Sequence, residues 1–341
     1  MIPFDAGEPL VHGGALAAAR RLFPAAPEPF IDLSTGINPN PYPLPQLSGD
    51  VFARLPEAEA VAALVAIAAR TYDAPSPDYV VAAPGTQILL PLVASLIEPG
   101  RAVVVAPTYS EHARAAALAG HAVTEVGNLA AIGGCALAFV TNPNNPDGKL
   151  FAKDNLLAAA SQLRARDGLL VVDEAFMDVG PHGASLASEV GYGNIVVLRS
   201  FGKFFGLAGV RLGFAVTAPE LANRIAARLG PWAVSGPALA AGTQALADRP
   251  WIETTRRSLA GAAARLDAIL RTANLELIGG TPLFRLVQTQ AAAKLFDHLG
   301  RAGILTRAFA EHPTWLRFGL PASGPEWRRL EEAIAAWKTN D

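Results

Sequence analysis

Residues 195–216 read IVVLRSFGKFFGLAGVRLGFAV, in which two apolar runs flank a glycine-containing link with a single lysine. Nearly continuous apolar runs rich in β-branched residues are typical of strands that are buried on both faces of a sheet. Five further short runs with β-branched residues come earlier in the chain, most of them nearly continuous apolar strings. The pattern therefore predicts seven strands: Tyr79–Ala83, Ala102–Ala106, Ala122–Val126, Ala136–Thr141, Leu169–Asp173, Ile195–Arg199 and Arg211–Val216.

Alanine-rich helical segments lie between many of these strands, for example Glu111–Ala119 and Asn155–Arg166. Strand and helix in alternation predict an α/β fold whose large domain has a mostly parallel, seven-stranded sheet covered on both sides. After residue 221 the pattern changes to that of a smaller α+β domain. Its predicted elements are two helices and two strands: Trp251–Thr272, Trp327–Lys338, Leu283–Gln288 and Trp315–Leu320.

The first 50 residues are rich in proline and glycine and show little periodicity, which predicts an extended arm. The predicted division is thus an N-terminal arm at residues 1–45, a large domain at 46–235 and a small C-terminal domain at 236–341.

The composition excludes several classes of protein. The 341 residues are 51% hydrophobic and 17% charged, which excludes a disordered chain. A net charge of −2 argues against nucleic-acid and anionic-membrane partners. The single cysteine, Cys135, excludes an intramolecular disulfide framework, and the six histidines lack the spacing of metal ligands. With no secretory start and no apolar stretch of bilayer length, the sequence predicts a soluble, cytoplasmic protein.

The residues that follow the predicted strands carry the chemistry, because ligands of parallel sheets bind beyond the carboxyl ends of the strands. An aldehyde cofactor needs a lysine for a Schiff base, a carboxylate for its pyridine nitrogen, a phosphate cup and an aromatic face. These are the requirements of pyridoxal 5'-phosphate. In that order the sequence supplies Lys203; Asp173; the turn Gly85-Thr86-Gln87 with Ser200 and Arg211; and Tyr109.

Three motifs resemble those of the fold-type I aminotransferases of class I/II, over nearly the whole chain. They are Ser200-Phe-Gly-Lys203 followed by Gly209-Val-Arg-Leu-Gly213, the turn Asn142-Pro-Asn-Asn-Pro-Asp-Gly148, and Asp173-Glu-Ala-Phe176. The resemblance implies that Lys203 forms the internal aldimine and that Asn145 binds the ring hydroxyl. It also implies that Arg317 binds the substrate carboxylate and that the protein is a homodimer with active sites at the subunit boundary.

Three positions depart from the family pattern. Phe176 stands where many relatives have a tyrosine that reaches the cofactor oxygen, which leaves Asn145 to make that hydrogen bond. Gly202 precedes the lysine where a Ser or Thr often reaches the phosphate, and Leu55 replaces a tyrosine that often reaches the partner subunit's phosphate.

Two segments of the predicted arm resemble a smaller group of related enzymes. His12-Gly13-Gly14 and Asp32-Leu-Ser-Thr-Gly36-Ile-Asn-Pro39 are similar to the N-terminal signature of the L-threonine-O-3-phosphate decarboxylases of the cobalamin pathway, which are relatives of the histidinol-phosphate aminotransferases. The resemblance implies a small phosphorylated amino acid as substrate. The residues that would contact it are His12, Gly13, Gly36, Asn145, Arg307 and Arg317.

The cofactor motifs leave the reaction open, because one cofactor supports decarboxylation and transamination alike. Decarboxylation of L-threonine O-3-phosphate is the leading hypothesis. The alternatives are an aminotransferase, for example one acting on histidinol phosphate, and a non-catalytic binding or regulatory protein that reuses the fold. The presence of both Lys203 and Asp173 counts against the last alternative.

Overall fold

The computed structural model describes residues 13–44 and 46–337, which divide into two compact units. One unit contains the described residues of Pro41–Thr254. The other contains those of Met1–Asn40 and Thr255–Asp341, so that residues 13–40 belong with the C-terminal part of the chain. The three-part division at residues 45 and 235 stays a prediction.

The Pro41–Thr254 unit is built on a seven-stranded sheet. Its spatial order is Val80–Ala83, Gly213–Thr217, Ile195–Ser200, Leu169–Asp173, Leu137–Thr141, Arg101–Val105 and Ala122–Val126. The Gly213–Thr217 strand is antiparallel to both of its neighbours, and all the other pairs are parallel. The prediction of an α/β fold with a mostly parallel, seven-stranded sheet is confirmed.

Helices cover this sheet because all its strands except Ala122–Val126, at one edge, are almost entirely buried. Val104, Phe139, Val171 and Leu198 come from four adjacent strands and share one buried cluster with helix residues such as Leu90. The α-helices of the unit are Asp50–Ala53, Ala58–Thr71, Thr86–Ala94, Glu111–Leu118, Lys153–Arg164, Phe201–Phe204, Pro219–Leu229 and Gly236–Ala247. Its 3-10 turns are Pro77–Tyr79, Leu129–Ile132, Met177–Val179, Ala187–Tyr192 and Ala208–Val210.

The other unit is a smaller α+β structure, as the sequence predicts. Its antiparallel sheet has the order Arg307–Phe309, His312–Gly319, Phe284–Gln288 and Glu276–Thr281. Its helices are Leu16–Leu22, Ala292–Arg301 and Gly324–Ala336, together with residues 255–272 of the helix Arg249–Thr272. No helix among the described residues has both the length and the apolar character needed to cross a membrane.

The arm is more structured than its composition predicts. The helix Leu16–Leu22 interrupts it, and Ile31–Asp32 pairs in parallel with Ile304–Leu305. The next residues run beside Gly319, whose amide donates to the carbonyl of Leu33 over 2.7 Å. A Cβ on Gly319 would lie 2.4 Å from the carbonyl oxygen of Thr35, so glycine is required for this approach. The arm is thereby fixed against the strand that carries Arg317.

Candidate active site

Asp173, the last residue of a central strand, is held by two hydrogen bonds. Its Oδ1 accepts from the backbone amide of Ala175 over 3.0 Å, and its Oδ2 lies 2.9 Å from Nε2 of His112. Both side chains are buried, and the imidazole stacks on Phe139 with ring centroids 5.4 Å apart. Because the carboxylate can only accept, Nε2 of His112 carries the proton. The pair fixes the direction of the Asp173 carboxylate.

Sequence reasoning missed His112. Its ring meets the edge of the Tyr109 ring at a centroid distance of 5.6 Å, one helical turn further along the chain. The position of His112 three residues after Tyr109, the predicted stacking residue, was the signal in the sequence that could have pointed to it. The contact with Asp173 spans 61 positions and depends on the order of the strands.

Tyr109 is held from its hydroxyl end. The hydroxyl donates to Oε1 of Gln87 over 3.1 Å, and the Gln87 amide in turn donates to Oε2 of Glu111 over 3.0 Å. Burial, reinforced by the charges of Glu111 and Asp173, raises the pKa of Tyr109 to about 12, so the hydroxyl stays a neutral donor at ordinary pH. The side chain of Gln87 thus binds Tyr109, and only its backbone amide remains for an anion at the helix start.

The turn that precedes the helix Thr86–Ala94 has the guanidinium of Arg211 beside Gly85, the residue directly before the helix. Gly85 has a φ of +85°, and the guanidinium of Arg211 lies so close that a Cβ on Gly85 would be 2.6 Å from one of its nitrogens. Arg211 itself has a left-handed backbone at φ +56°, a conformation that costs a non-glycine residue about 1 kcal/mol or more. Gly213 is required here as well, because its Cβ would lie 2.7 Å from the Thr86 nitrogen. Backbone amides and one arginine at a helix start form an anion site.

Lys203 lies in the link between two sheet strands, on the short helix Phe201–Phe204. Its Nζ is 5.7 Å from the centroid of the Phe176 ring, and Phe201 and Phe204 are buried. The preceding Gly202 departs from the family pattern for a steric reason. A Cβ at this position would lie 2.9 Å from Cα of Ala208, so a serine or threonine requires the backbone to move.

The Asn142–Gly148 turn is tied to the neighbouring strand ends. The amide of Asn142 donates to the carbonyl of Asp173 over 2.8 Å. The Asn144 side chain donates to the Pro107 carbonyl and accepts from the Thr108 hydroxyl, both over 2.8 Å. These bonds hold the turn so that the half-buried Asn145 belongs to the same edge of the sheet as Asp173.

The described N-terminal residues and the small sheet bring a second group of predicted residues together. Arg307 and Arg317 are directly opposite each other on adjacent antiparallel strands. Arg317 is buried and donates to the carbonyl oxygen of Ser34 over 2.8 Å. A Cβ on Gly13 would lie 2.5 Å from the same oxygen, and the buried Gly36 follows two residues after Ser34. His12 lies outside the described residues.

Two guanidinium groups at directly opposed positions repel each other. Burial, reinforced by the charge of Arg307 and opposed by Asp32, lowers the pKa of Arg317 to about 9. Burial also lowers the pKa of Arg307. In both groups desolvation is the largest influence on the pKa of the guanidinium. The arrangement is suited to a ligand with two anionic groups.

Comparison with known proteins assigns the chain to a family. A model of the aminotransferase class I and II family matches residues 46–336. The chain belongs to this family. Among members, it is 44% identical to a threonine-phosphate decarboxylase of Sinorhizobium sp. over 336 residues, covering 96% of this chain and 98% of that one. It is 41% identical to a threonine-phosphate decarboxylase of Pseudomonas aeruginosa over 332 residues, again 96% and 98% of the two chains.

Solved structures of the family share the fold. Histidinol-phosphate aminotransferase from Sinorhizobium meliloti, in complex with pyridoxal-5'-phosphate, superposes with a TM-score of 0.78. The alignment covers 94% of each chain at 22% sequence identity. The predicted resemblance to class I/II aminotransferases is confirmed.

Proposed function

We propose that the protein is a pyridoxal-phosphate-dependent decarboxylase of L-threonine O-3-phosphate, which forms (R)-1-amino-2-propanol O-2-phosphate for cobalamin biosynthesis. The two threonine-phosphate decarboxylases at 41% and 44% identity over nearly the whole chain support the assignment. The structural observation that carries it is the opposed, partly desolvated pair Arg307 and Arg317, because the substrate has two anionic groups to place there.

The residues at the strand ends fit the cofactor. The helix start at Thr86 with the Arg211 guanidinium suits a phosphate, to which Gly85, Gln87 and Ser200 would add backbone or hydroxyl donors. The Asp173 carboxylate, held by His112, suits a protonated pyridine nitrogen. Three further residues would complete the cofactor site: Tyr109 on the ring face, Asn145 at the ring oxygen and Lys203 at the aldehyde carbon.

When bound, pyridoxal phosphate supplies an electron sink for the electron pair that remains on the substrate Cα after carbon dioxide leaves. The protein's own contribution is to orient the bond that breaks. Arg317 would hold the carboxylate and Arg307 the phosphate, with Gly13, Gly36, Asn145 and His12 as further contacts. Two anchored ends fix the torsion about Cα. The amine of Lys203 would then deliver a proton to Cα as general acid.

We further propose that the working form is a homodimer. Phe52, Leu55 and Trp232 are 68%, 65% and 59% exposed in the single chain. The segments that carry them meet, because a Cβ on Gly236 would overlap the carbonyl of Val51. Large apolar side chains exposed together mark an interaction surface. Leu55 would then pack against the partner, in place of the tyrosine that often reaches across the subunit boundary.

The dimer proposal predicts that Trp232→Asp, combined with Phe52→Asp, gives a monomer. A buried carboxylate without a partner opposes association. Light scattering of the purified variant at micromolar concentration measures the mass directly, and Tyr192→Asp, at an exposed aromatic residue 42% accessible, is the control. A wild-type protein that is monomeric at the same concentration contradicts the proposal.

The test of the reaction is a product assay with the pyridoxal-phosphate-loaded protein, L-threonine O-3-phosphate and no 2-oxo acid. The expected result is release of carbon dioxide and aminopropanol phosphate in equal amounts over many turnovers. Conversion of the cofactor to its pyridoxamine form after one turnover, without carbon dioxide, identifies an aminotransferase instead. Histidinol phosphate would then be the first alternative substrate. The cytoplasmic location and the lack of a nucleic-acid partner stay predictions.

A further inference from the structure

A buried charge cluster lies directly behind the strand ends that carry Asp173 and Lys203. Arg199 donates from one terminal nitrogen to Oε2 of Glu174 over 3.0 Å, and from the other to Oδ1 of Asp178 over 2.6 Å. The three side chains are at most 7% exposed. We call Arg199, Glu174 and Asp178 the Arg199 clamp.

The clamp residues alternate along the chain with residues of the cofactor site. Glu174 follows Asp173 directly, and Asp178 comes two residues after Phe176, whose ring faces the Lys203 amine. Arg199 immediately precedes Ser200 on the neighbouring parallel strand, where Leu198 is in register with Asp173. One guanidinium therefore joins the segment that carries Asp173 to the segment that leads into Lys203.

The clamp is also fixed from outside. The second oxygen of Glu174 accepts from the backbone amide of Leu186 over 2.8 Å, and its Oε2 accepts in addition from the Ser185 hydroxyl over 2.6 Å. The guanidinium carbon of Arg199 lies 4.4 Å from the centroid of the Tyr72 ring. Glu174 and Arg199 are thus each fixed by contacts outside the clamp, and Arg199 in turn fixes Asp178.

The electrostatic balance argues that this cluster is more than a stabilising ion pair. Two carboxylates face one guanidinium, and burial raises the pKa of Glu174 despite the positive charge of Arg199. Burying ions is costly, and well-packed apolar residues of similar volume are often equally or more stable. What the ions add is direction, since the planar guanidinium holds two acceptors at fixed angles.

We propose that the Arg199 clamp is a set of positioning residues for the reaction: it sets the separation of Asp173 from Lys203, and so the seating of the cofactor between them. This inference rests on the proposed function, because the positions it controls are those of the cofactor site. In this proposal the three clamp residues contact neither the substrate nor the cofactor. They act through the residues next to them in the chain.

The test compares two variants that disturb the clamp in different ways. Arg199→Met leaves two buried carboxylates without their cation, and we expect it to lower the melting temperature. The triple variant Arg199→Met, Glu174→Gln, Asp178→Asn removes the three charges of the clamp. The amide oxygen at position 174 can still accept from the Leu186 backbone amide, and its NH2 group can donate to the Ser185 hydroxyl oxygen. We therefore expect the melting temperature of the triple variant to recover toward that of the wild type.

A pH titration of the absorbance of the lysine-bound cofactor distinguishes a positioning role of the clamp from a purely stabilising one. In the triple variant we expect the pKa of this absorbance change to move toward that of the same adduct free in water. We also expect kcat to fall about 10-fold to 100-fold with KM within about twofold, because a displacement near 1 Å has effects of this size. Asp178→Asn alone, which keeps an acceptor for Arg199, is expected to shift the absorbance in the same direction by less.

A control lies in the small unit, where Arg285 binds the single carboxylate of Asp267 with a closest nitrogen–oxygen distance of 2.5 Å. Arg285→Met with Asp267→Asn should leave the absorbance titration unchanged. If the triple variant and Asp178→Asn both titrate like the wild type, the clamp is structural and the inference is wrong. A wild-type protein that shows no cofactor absorbance contradicts the proposed function instead. A wild type that binds the cofactor without decarboxylating still allows the clamp to be judged.

Discussion

Replacing Lys203 by arginine is expected to lower the rate of decarboxylation of L-threonine O-3-phosphate by at least about 10³-fold while the protein stays folded. Arginine keeps the positive charge beside Phe176, so the packing and charge of the site change little. The guanidinium stays protonated at any ordinary pH, however, and can neither bond to an aldehyde carbon nor exchange a proton with the substrate. Single-turnover release of carbon dioxide measures the loss.

The covalent role of Lys203 has a readout independent of turnover. Borohydride reduction of the wild-type holoprotein should fix the cofactor to one lysine, and peptide mass spectrometry should find it on Lys203. Lys153→Arg, on a helix of the same unit and paired with Glu189 at 3.3 Å, is the control and should keep full activity. Lys203→Arg that retains a tenth of the wild-type rate, or a label on another lysine, contradicts the assignment.

Six strands of the seven-stranded sheet could be predicted because burial on both faces leaves nearly continuous apolar runs, whereas the edge strand Ala122–Val126 is mostly exposed. Leu169–Asp173 and Ala122–Val126 have the predicted bounds, and the other five strands predicted for this sheet differ by one or two residues at one or both ends. The short helix Leu16–Leu22 was missed, because it lies among prolines and glycines and has only Ala19 buried. Seven residues with one buried position carry too weak a periodicity for detection.

The residues that support the candidate site were harder to predict than those that form it. Lys203, Asp173 and the Gly85 turn are recognisable from residue type and position after a strand. His112 and Arg199 act through partners 61 and 21 to 25 positions away, and those contacts arise only when the strand order is known. The pairing of Arg307 with Arg317 could not be predicted from the sequence either, because it depends on the register of the two strands. A one-residue change of register puts the two side chains on opposite faces of the sheet.

Replacing Arg317 or Arg307 singly tests whether the first binds the substrate carboxylate and the second the substrate phosphate. Arg317→Ala is expected to lower kcat/KM for L-threonine O-3-phosphate by about 10²-fold to 10³-fold. The variant leaves the substrate carboxylate without its cation, and removing one partner of a buried, hydrogen-bonded charge pair costs about 2–5 kcal/mol. Arg307→Ala is expected to raise KM for the same substrate by about 10-fold or more, with a smaller change in kcat. Steady-state kinetics of both variants provide the comparison.

L-Threonine separates the two roles, since it has the amine and carboxylate of the substrate but no phosphate. Its dissociation constant, measured from the change in cofactor absorbance, should rise in Arg317→Ala and stay within about threefold of the wild-type value in Arg307→Ala. Inorganic phosphate should protect the wild type and Arg317→Ala against thermal unfolding more than it protects Arg307→Ala. An unchanged KM for the phosphorylated substrate in Arg307→Ala removes the phosphate role of that residue. Equal losses for both ligands in both variants mean that the pair acts on the carboxylate alone.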